Sequence, residues 1–166
     1  MQFEDALAVI LKWEGSEYTE TSGDRGGATK WGITLATLTR WRGARPTTKD
    51  DVKNLTREGA AVIYRQWYWD RVSCEKMPDG VDLLLFDSAV NEGPGMAVKH
   101  LQRACGAKMD GILGPDTQGL VDLADRQALV REMAVQRALH YAQLQPEFRH
   151  GWFRRLFDVF EIATDI

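Results

Sequence analysis

Cysteine is scarce in this sequence, with only Cys74 and Cys105 among 166 residues. Two cysteines cannot build the disulfide framework of a small secreted scaffold, and neither sits in a metal-ligand spacing. Two free thiols are therefore expected in preference to a bridge. Histidine is scarce as well: His100, His140 and His150 are scattered and form no HExxH-type cluster, so neither a metal nor a cofactor is expected. Excess positive charge is missing. The 21 Lys and Arg residues face 24 Asp and Glu, a formal charge of −3, which speaks against nucleic acid as a partner. No run approaches the roughly 18 apolar residues of a membrane-spanning helix, so no stable membrane insertion is expected. The first residues, MQFEDALAVILKWEG, lack a basic stretch, carry Glu4 and Asp5 early and offer no small-residue cleavage site. The expectation is synthesis in the cytoplasm without a signal peptide, with any work outside needing another export route. Low-complexity tracts and tandem repeats are also missing.

What remains is an ordinary globular composition, 44% hydrophobic and 27% charged, in a length that suits one domain or a main domain with a small appendage. The six tryptophans stand out. Core packing and stacking on flat apolar faces such as sugar rings are both open to them. Phe3, Ala6, Leu7, Val9, Ile10 and Trp13 recur at helical spacing and predict a helix from 3 to about 14, ended by Gly15. Residues 16–33 read as a polar, glycine-punctuated loop with at most a short hairpin. Thr34 caps a helix over Leu35 to Trp41, and Thr48 opens a short turn. Thr56 caps a helix from Arg57 to Trp69. Val81 to Asn91 reads as a buried helix, interrupted at Gly93, Pro94 and Gly95. Ala97 to Cys105 is helical, MDGILGPDT has turn chemistry, and Pro115 fits the first turn of a helix. Asp125 caps a helix from Arg126 to about Leu144, Pro146 stops it, and Gly151 opens a last one. The fold class is mainly α, with a small sheet near residues 17–33 at most.

One stretch carries candidate chemistry: KWEGSEYTETSGDRGGATKWGIT, Lys12 to Thr34. Glu14 leaves the end of an apolar helix, where a partly shielded carboxyl group suits a general acid. Ten residues on, Asp24 lies in a loop long enough to fold back and set a second carboxylate across a cleft. Two carboxylates flanking a substrate are the minimal apparatus of glycoside hydrolysis. Asp24 has a second reading, capping the Gly26–Gly27 turn. Thr29 either holds a water or makes a plain loop hydrogen bond. Glu17 and Glu20 read as solvated bystanders. A Glu before a Gly at a helix end is also commonly inert.

The order Glu14, Asp24, Thr29, then Gly32 and Ile33 resembles the Glu–Asp–Thr arrangement of phage-type lysozymes. More specifically, the chain resembles the glycoside hydrolase family 108 muramidases, which include phage endolysins and bacterial secretion-activating proteins. Their hallmark is Glu-Gly-Gly-Tyr followed by Asp-x-Gly-Gly-x-Thr-x-x-Gly-Ile-Thr. Asp24, Gly26, Gly27, Thr29, Gly32, Ile33 and Thr34 match the second part without a gap. Tyr68, Trp69 and Asp70 match further on, then the run Phe86 to Asn91, then Gly93 to Gly95 and Leu101 to Ala104. Asp110 to Thr117 resembles the start of the family's peptidoglycan-binding-like segment, and Gly151, Trp152, Arg154 and Arg155 close a match over about residues 3–157. The first part departs: Glu14-Gly15-Ser16-Glu17-Tyr18 has one residue more and one glycine fewer, which leaves the Glu14–Asp24 separation open.

The resemblance implies a lysozyme-like α+β catalytic domain over 1–92 and a helical peptidoglycan-binding-like segment over 93–166. It implies cleavage of the β-1,4 bond between N-acetylmuramic acid and N-acetylglucosamine, with peptidoglycan glycan strands as partner. Glu14 would protonate the leaving oxygen, Asp24 would activate water or stabilise the transition state, and Thr29 would position water. Asp87 and Asn91, at i and i+4 on one helical face, either line the cleft, the favoured reading, or tie down a loop. Tyr68 is a candidate for stacking on sugars, and core packing is open for Trp69. A monomer is expected, acting on the cell wall in the periplasm after release by a holin or another export route. Phage lysis and bacterial wall remodelling are both open. So are a lytic transglycosylase using the same Glu14, and a non-catalytic wall-binding or secretion scaffold.

Overall fold

Helix α1 of the computed structural model spans Phe3–Glu14, where the apolar spacing placed it, and buries Phe3, Ala6, Leu7, Val9 and Ile10. The structure describes residues 1–20 and 27–166; Asp24 and Gly26 lie outside the described residues. The chain forms two compact units, one of Leu7–Arg65 and the other of Met1–Ala6 with Gln66–Ile166.

In the smaller unit, β1 (Thr19–Glu20), β2 (Ala28–Lys30) and β3 (Ile33–Thr34) form an antiparallel sheet in that order. Thr29 is paired on both sides, with Thr19 and with Thr34. Three helices follow: α2 (Leu35–Arg42), α3 (Lys49–Lys53) and α4 (Arg57–Tyr64). Each starts on a threonine. The Thr34 hydroxyl accepts from the Thr37 N–H (3.1 Å), and Thr56 accepts from Gly59 (3.1 Å). Thr48 forms a reciprocal capping box with Asp51. These contacts satisfy amide donors that a helix start leaves without intrahelical partners.

The predicted helix Arg57 to Trp69 is α-helical only to Tyr64. A π turn follows over Arg65–Trp69, then 3-10 turns over Asp70–Val72 and Cys74–Lys76. The extra residue of a π turn rotates the side chains that follow it about the helix axis. Trp69 is buried, edge-on to Phe3 (5.6 Å between centroids) and to Phe86 (5.3 Å). Its core reading is the one observed.

The larger unit is built on α5 (Val81–Glu92), α6 (Pro94–Cys105), α7 (Pro115–Leu123), α8 (Arg126–Tyr141) and α9 (Pro146–Asp165). Two prolines correct the predicted boundaries. α6 begins at Pro94, not Ala97, and α9 begins at Pro146, not Gly151. Proline's fixed φ and missing N–H suit the first turn, so Pro146 starts a helix as well as ending the segment before it. Gly93 joins α5 to α6, and both helices lie in the larger unit and pack against each other.

α5 is buried on every side from Val81 to Ala89, as expected of a helix that is apolar nearly all round. It packs against α6, α8 and α9. Asp87, inside it, is fully buried. An isolated buried carboxylate is prohibitively costly, so it needs cations. Arg155 donates from Nε at 2.8 Å, and Arg137 pairs from Nη1 at 2.9 Å. Arg137 also donates from Nε to Glu92 (3.1 Å) and from Nη2 to the Tyr141 hydroxyl (2.7 Å). Burial opposes the charge on Arg137, but Asp87, Tyr141 and Glu92 together outweigh it and hold the guanidinium above its ordinary pKa. Burial pushes the Tyr141 phenol up to about 12, so it stays neutral beside the arginine. Glu92 further accepts from Ser88 (2.8 Å) and meets His100 Nε2 at 3.1 Å.

The MDGILGPDT segment is held by one buried side chain. Gln102 of α6 donates to Asp110 Oδ1 (2.8 Å) and to the Ile112 carbonyl (3.0 Å), and accepts from the Gly111 N–H (2.9 Å). Gly111 takes φ 76°, and a Cβ there would stand 3.1 Å from the Gly95 carbonyl. This is the turn-stabilising arrangement read from the sequence. Both cysteines are free thiols, Cys74 buried and Cys105 partly so.

Candidate active site

Glu14 is the last residue of α1 and is partly exposed. Backbone closes on it. The pairing of Lys30 with Ile33 leaves Trp31 and Gly32 as the two-residue loop of the β2–β3 hairpin, at φ 54° and 71°. Positive φ at both positions is the signature of a type I′ turn, whose twist matches that of the flanking strands. Glycine takes this conformation freely. Tryptophan does not, and the left-handed region costs an L-residue roughly 1–2 kcal/mol. Two tethers hold it. The Trp31 indole N–H donates to the Leu55 carbonyl (3.2 Å), and the Trp31 carbonyl accepts from the Tyr64 hydroxyl (2.9 Å).

Gly32 has no room for a side chain. A Cβ there would stand 2.4 Å from the Tyr64 hydroxyl oxygen, 2.8 Å from Glu14 Cβ and 2.9 Å from Glu14 Oε2. The end of α1, the hairpin turn and the end of α4 therefore converge on one small space with the Glu14 carboxylate at its edge.

The other sequence-derived candidates are placed as follows. Thr29, on the central strand, donates its hydroxyl to the Gly27 carbonyl at 3.3 Å. This is a loop hydrogen bond, and it leaves the oxygen able to accept from water. Asp24 lies outside the described residues. Glu20 is a surface residue, bonded by Tyr18 (2.8 Å) and paired with Lys49. In the larger unit, Tyr68 and Asn91 are partly exposed. Asp87 is a correction: with no exposed surface and two arginines on its oxygens, it anchors the core of its unit and does not line a cleft. Among the described residues, no group of three His, Cys, Asp or Glu side chains is arranged to hold a metal ion, and no helix is long and apolar enough to cross a membrane.

The glycosyl hydrolase 108 family model matches residues 7–93, a span that takes in Glu14, Gly32 and Tyr64. The chain belongs to that family. The structure of Brucella abortus SagA is similar throughout, at 36% sequence identity and a TM-score of 0.89, covering 98% of this chain and 94% of that one. No curated protein matches the chain in sequence. This family 108 member is thus a glycoside hydrolase with a mainly helical fold and a small antiparallel sheet.

Sequence reasoning named Glu14 as a candidate acid and Gly32 as a motif match. It missed Trp31 and Tyr64. A two-residue Trp-Gly loop between Ala-Thr-Lys and Ile-Thr was a usable hairpin signal, although tryptophan is a poor I′ residue and points away from that turn. Tyr64 falls inside the predicted Arg57 to Trp69 helix, where no local pattern marks it out. Its burial is near complete, at 1% exposure, and only its hydroxyl reveals the link to the turn.

Proposed function

We propose that this glycoside hydrolase is an N-acetylmuramidase, cleaving the β-1,4 bond between N-acetylmuramic acid and N-acetylglucosamine in peptidoglycan. The observation that carries the reading is Glu14: a partly exposed carboxyl at a helix end, bounded by a tethered backbone turn, inside the segment matched by the family model. In this reading Glu14 gives its proton to the leaving glycosidic oxygen as the C1–O bond breaks. Water then adds at C1. Asp24 takes that water's proton or stabilises the oxocarbenium-like charge, and Thr29 accepts a hydrogen bond from the water. Tyr68 and Asn91 are proposed as glycan contacts of the larger unit in their own right. Asp87 contributes through the core.

The test is mass spectrometry of purified peptidoglycan digested with the protein. Muropeptides with reducing N-acetylmuramic acid ends are expected. Ends in 1,6-anhydro form would make the protein a lytic transglycosylase, in which the sugar's own 6-hydroxyl replaces water. Binding to sacculi with no soluble fragment would make it a non-catalytic wall protein.

A further inference from the structure

We infer that Tyr64 is a positioning residue for Glu14, acting through the Trp31–Gly32 turn; this rests on the reading of Glu14 as the proton donor. Three observations combine. The turn holds a tryptophan at φ 54°, a conformation it keeps only if its surroundings impose it. Those surroundings include two hydrogen bonds, Trp31 Nε1–H to the Leu55 carbonyl and the Tyr64 hydroxyl to the Trp31 carbonyl. The turn so held presses Gly32 against Glu14, because the place of a Gly32 Cβ is 2.8 Å from Glu14 Cβ and 2.9 Å from Oε2.

The consequence concerns the freedom of the acid. A glutamate at a helix end can swing through several rotamers. With the Gly32 backbone on one side of it, part of that range is blocked. The carboxyl is kept near one setting before substrate arrives, and such pre-orientation is where much of an enzyme's rate advantage comes from. The Tyr64 hydroxyl donates its proton to the Trp31 carbonyl, and through that bond it holds the turn. Gly32 is required here for two reasons, its positive φ and the space that Glu14 and Tyr64 occupy.

The experiment compares Tyr64→Phe, Gly32→Ala and Gly43→Ala with the parent protein, following reducing-end release from soluble peptidoglycan fragments. Gly43 is the control for backbone cost, since its φ is 67° and nothing lies within 4 Å of a Cβ there. Tyr64→Phe keeps the buried ring and removes one oxygen. It is expected to lower kcat about 10-fold with KM within about twofold and the unfolding midpoint nearly unchanged. Gly32→Ala is expected to lower kcat by about 100-fold or more, and Gly43→Ala to leave it unchanged. The pH–rate profile of Tyr64→Phe is expected to change on the limb that reports the acid, which a loss of folded protein would not do. The inference is overturned if Tyr64→Phe keeps the parental kcat and pH profile, or if Gly32→Ala loses no more activity than Gly43→Ala. Glu14→Gln separates the two levels: if that variant stays active, the proton-donor reading fails. If it is inactive while Tyr64→Phe is parental, only the positioning role fails. Should Gly32→Ala not fold, the Tyr64→Phe arm decides alone.

Discussion

Glu14 and Asp87 are both acids set in apolar helical sequence, and their surroundings are opposite. Glu14 ends α1 in the smaller unit, partly open to water, with the backbone of a tethered turn beside it. Asp87 lies inside α5 in the larger unit, sealed from water, with Arg137 and Arg155 on its oxygens at 2.9 and 2.8 Å. An acid that buried guanidinium groups reach is tied down by them and serves the core. An acid at a helix end with a backbone turn beside it is hemmed in on one side, while water can still reach it. Carboxyl chemistry and apolar context are the same in both. What separates the two roles is which groups the fold brings to the oxygens.

The comparison breaks most sharply at Asp87. Asp87→Ala leaves Arg137 buried with its main partner gone, and an unfolding free-energy loss of about 3–5 kcal/mol is expected by chemical denaturation. Specific activity of the protein that remains folded should stay close to parental. A large catalytic defect without a stability defect would return Asp87 to the substrate site. Gln102→Ala tests a second buried polar anchor. It removes three hydrogen bonds from the Asp110–Ile112 loop, and a loss of about 1–3 kcal/mol is expected, with glycan cleavage retained.

Acid titration sharpens the same contrast. Burial works against the charge of Glu92, but the His100 hydrogen bond and the Arg137 charge outweigh it and draw its carboxyl below the ordinary value of 4.5. A depressed carboxylate stabilises the fold above its unfolded pKa, and that contribution disappears as pH falls through the folded one. Stability is therefore expected to fall as pH drops below about 4.5. Glu92→Gln should show a shallower decline over the same window in thermal unfolding. An equally steep decline would remove Glu92 from the account. The smallest effect is expected at Thr48, whose hydroxyl caps α3 on the surface. Thr48→Ala should cost about 1 kcal/mol and leave activity alone.

Much of the fold was legible because helix signals are local. Apolar spacing and the caps Thr34, Thr48, Thr56 and Asp125 placed helix starts that the structure reproduces. The misplaced boundaries were at Pro94 and Pro146, where the same residue type ends one segment and begins the next. The π turn at Arg65–Trp69 left no local mark in the sequence. In the candidate site, Glu14 was singled out by its helix end and its motif, and the helix end is the one observed. Asp87 misled because Arg137 and Arg155 are 50 and 68 residues away along the chain, and no local pattern announces such a pairing. Tyr64 was hidden for the same reason: its hydroxyl acts 33 residues back, at Trp31.

The central claim is that Glu14 supplies the proton. Its most direct measurement is the turnover of Glu14→Gln on soluble peptidoglycan fragments, taken alongside its unfolding midpoint. Glutamine keeps the shape and loses the acid, so the account predicts a loss of about 10²–10⁴-fold with a nearly parental midpoint. Turnover within a few-fold of the parent, from a protein equally well folded, would contradict it.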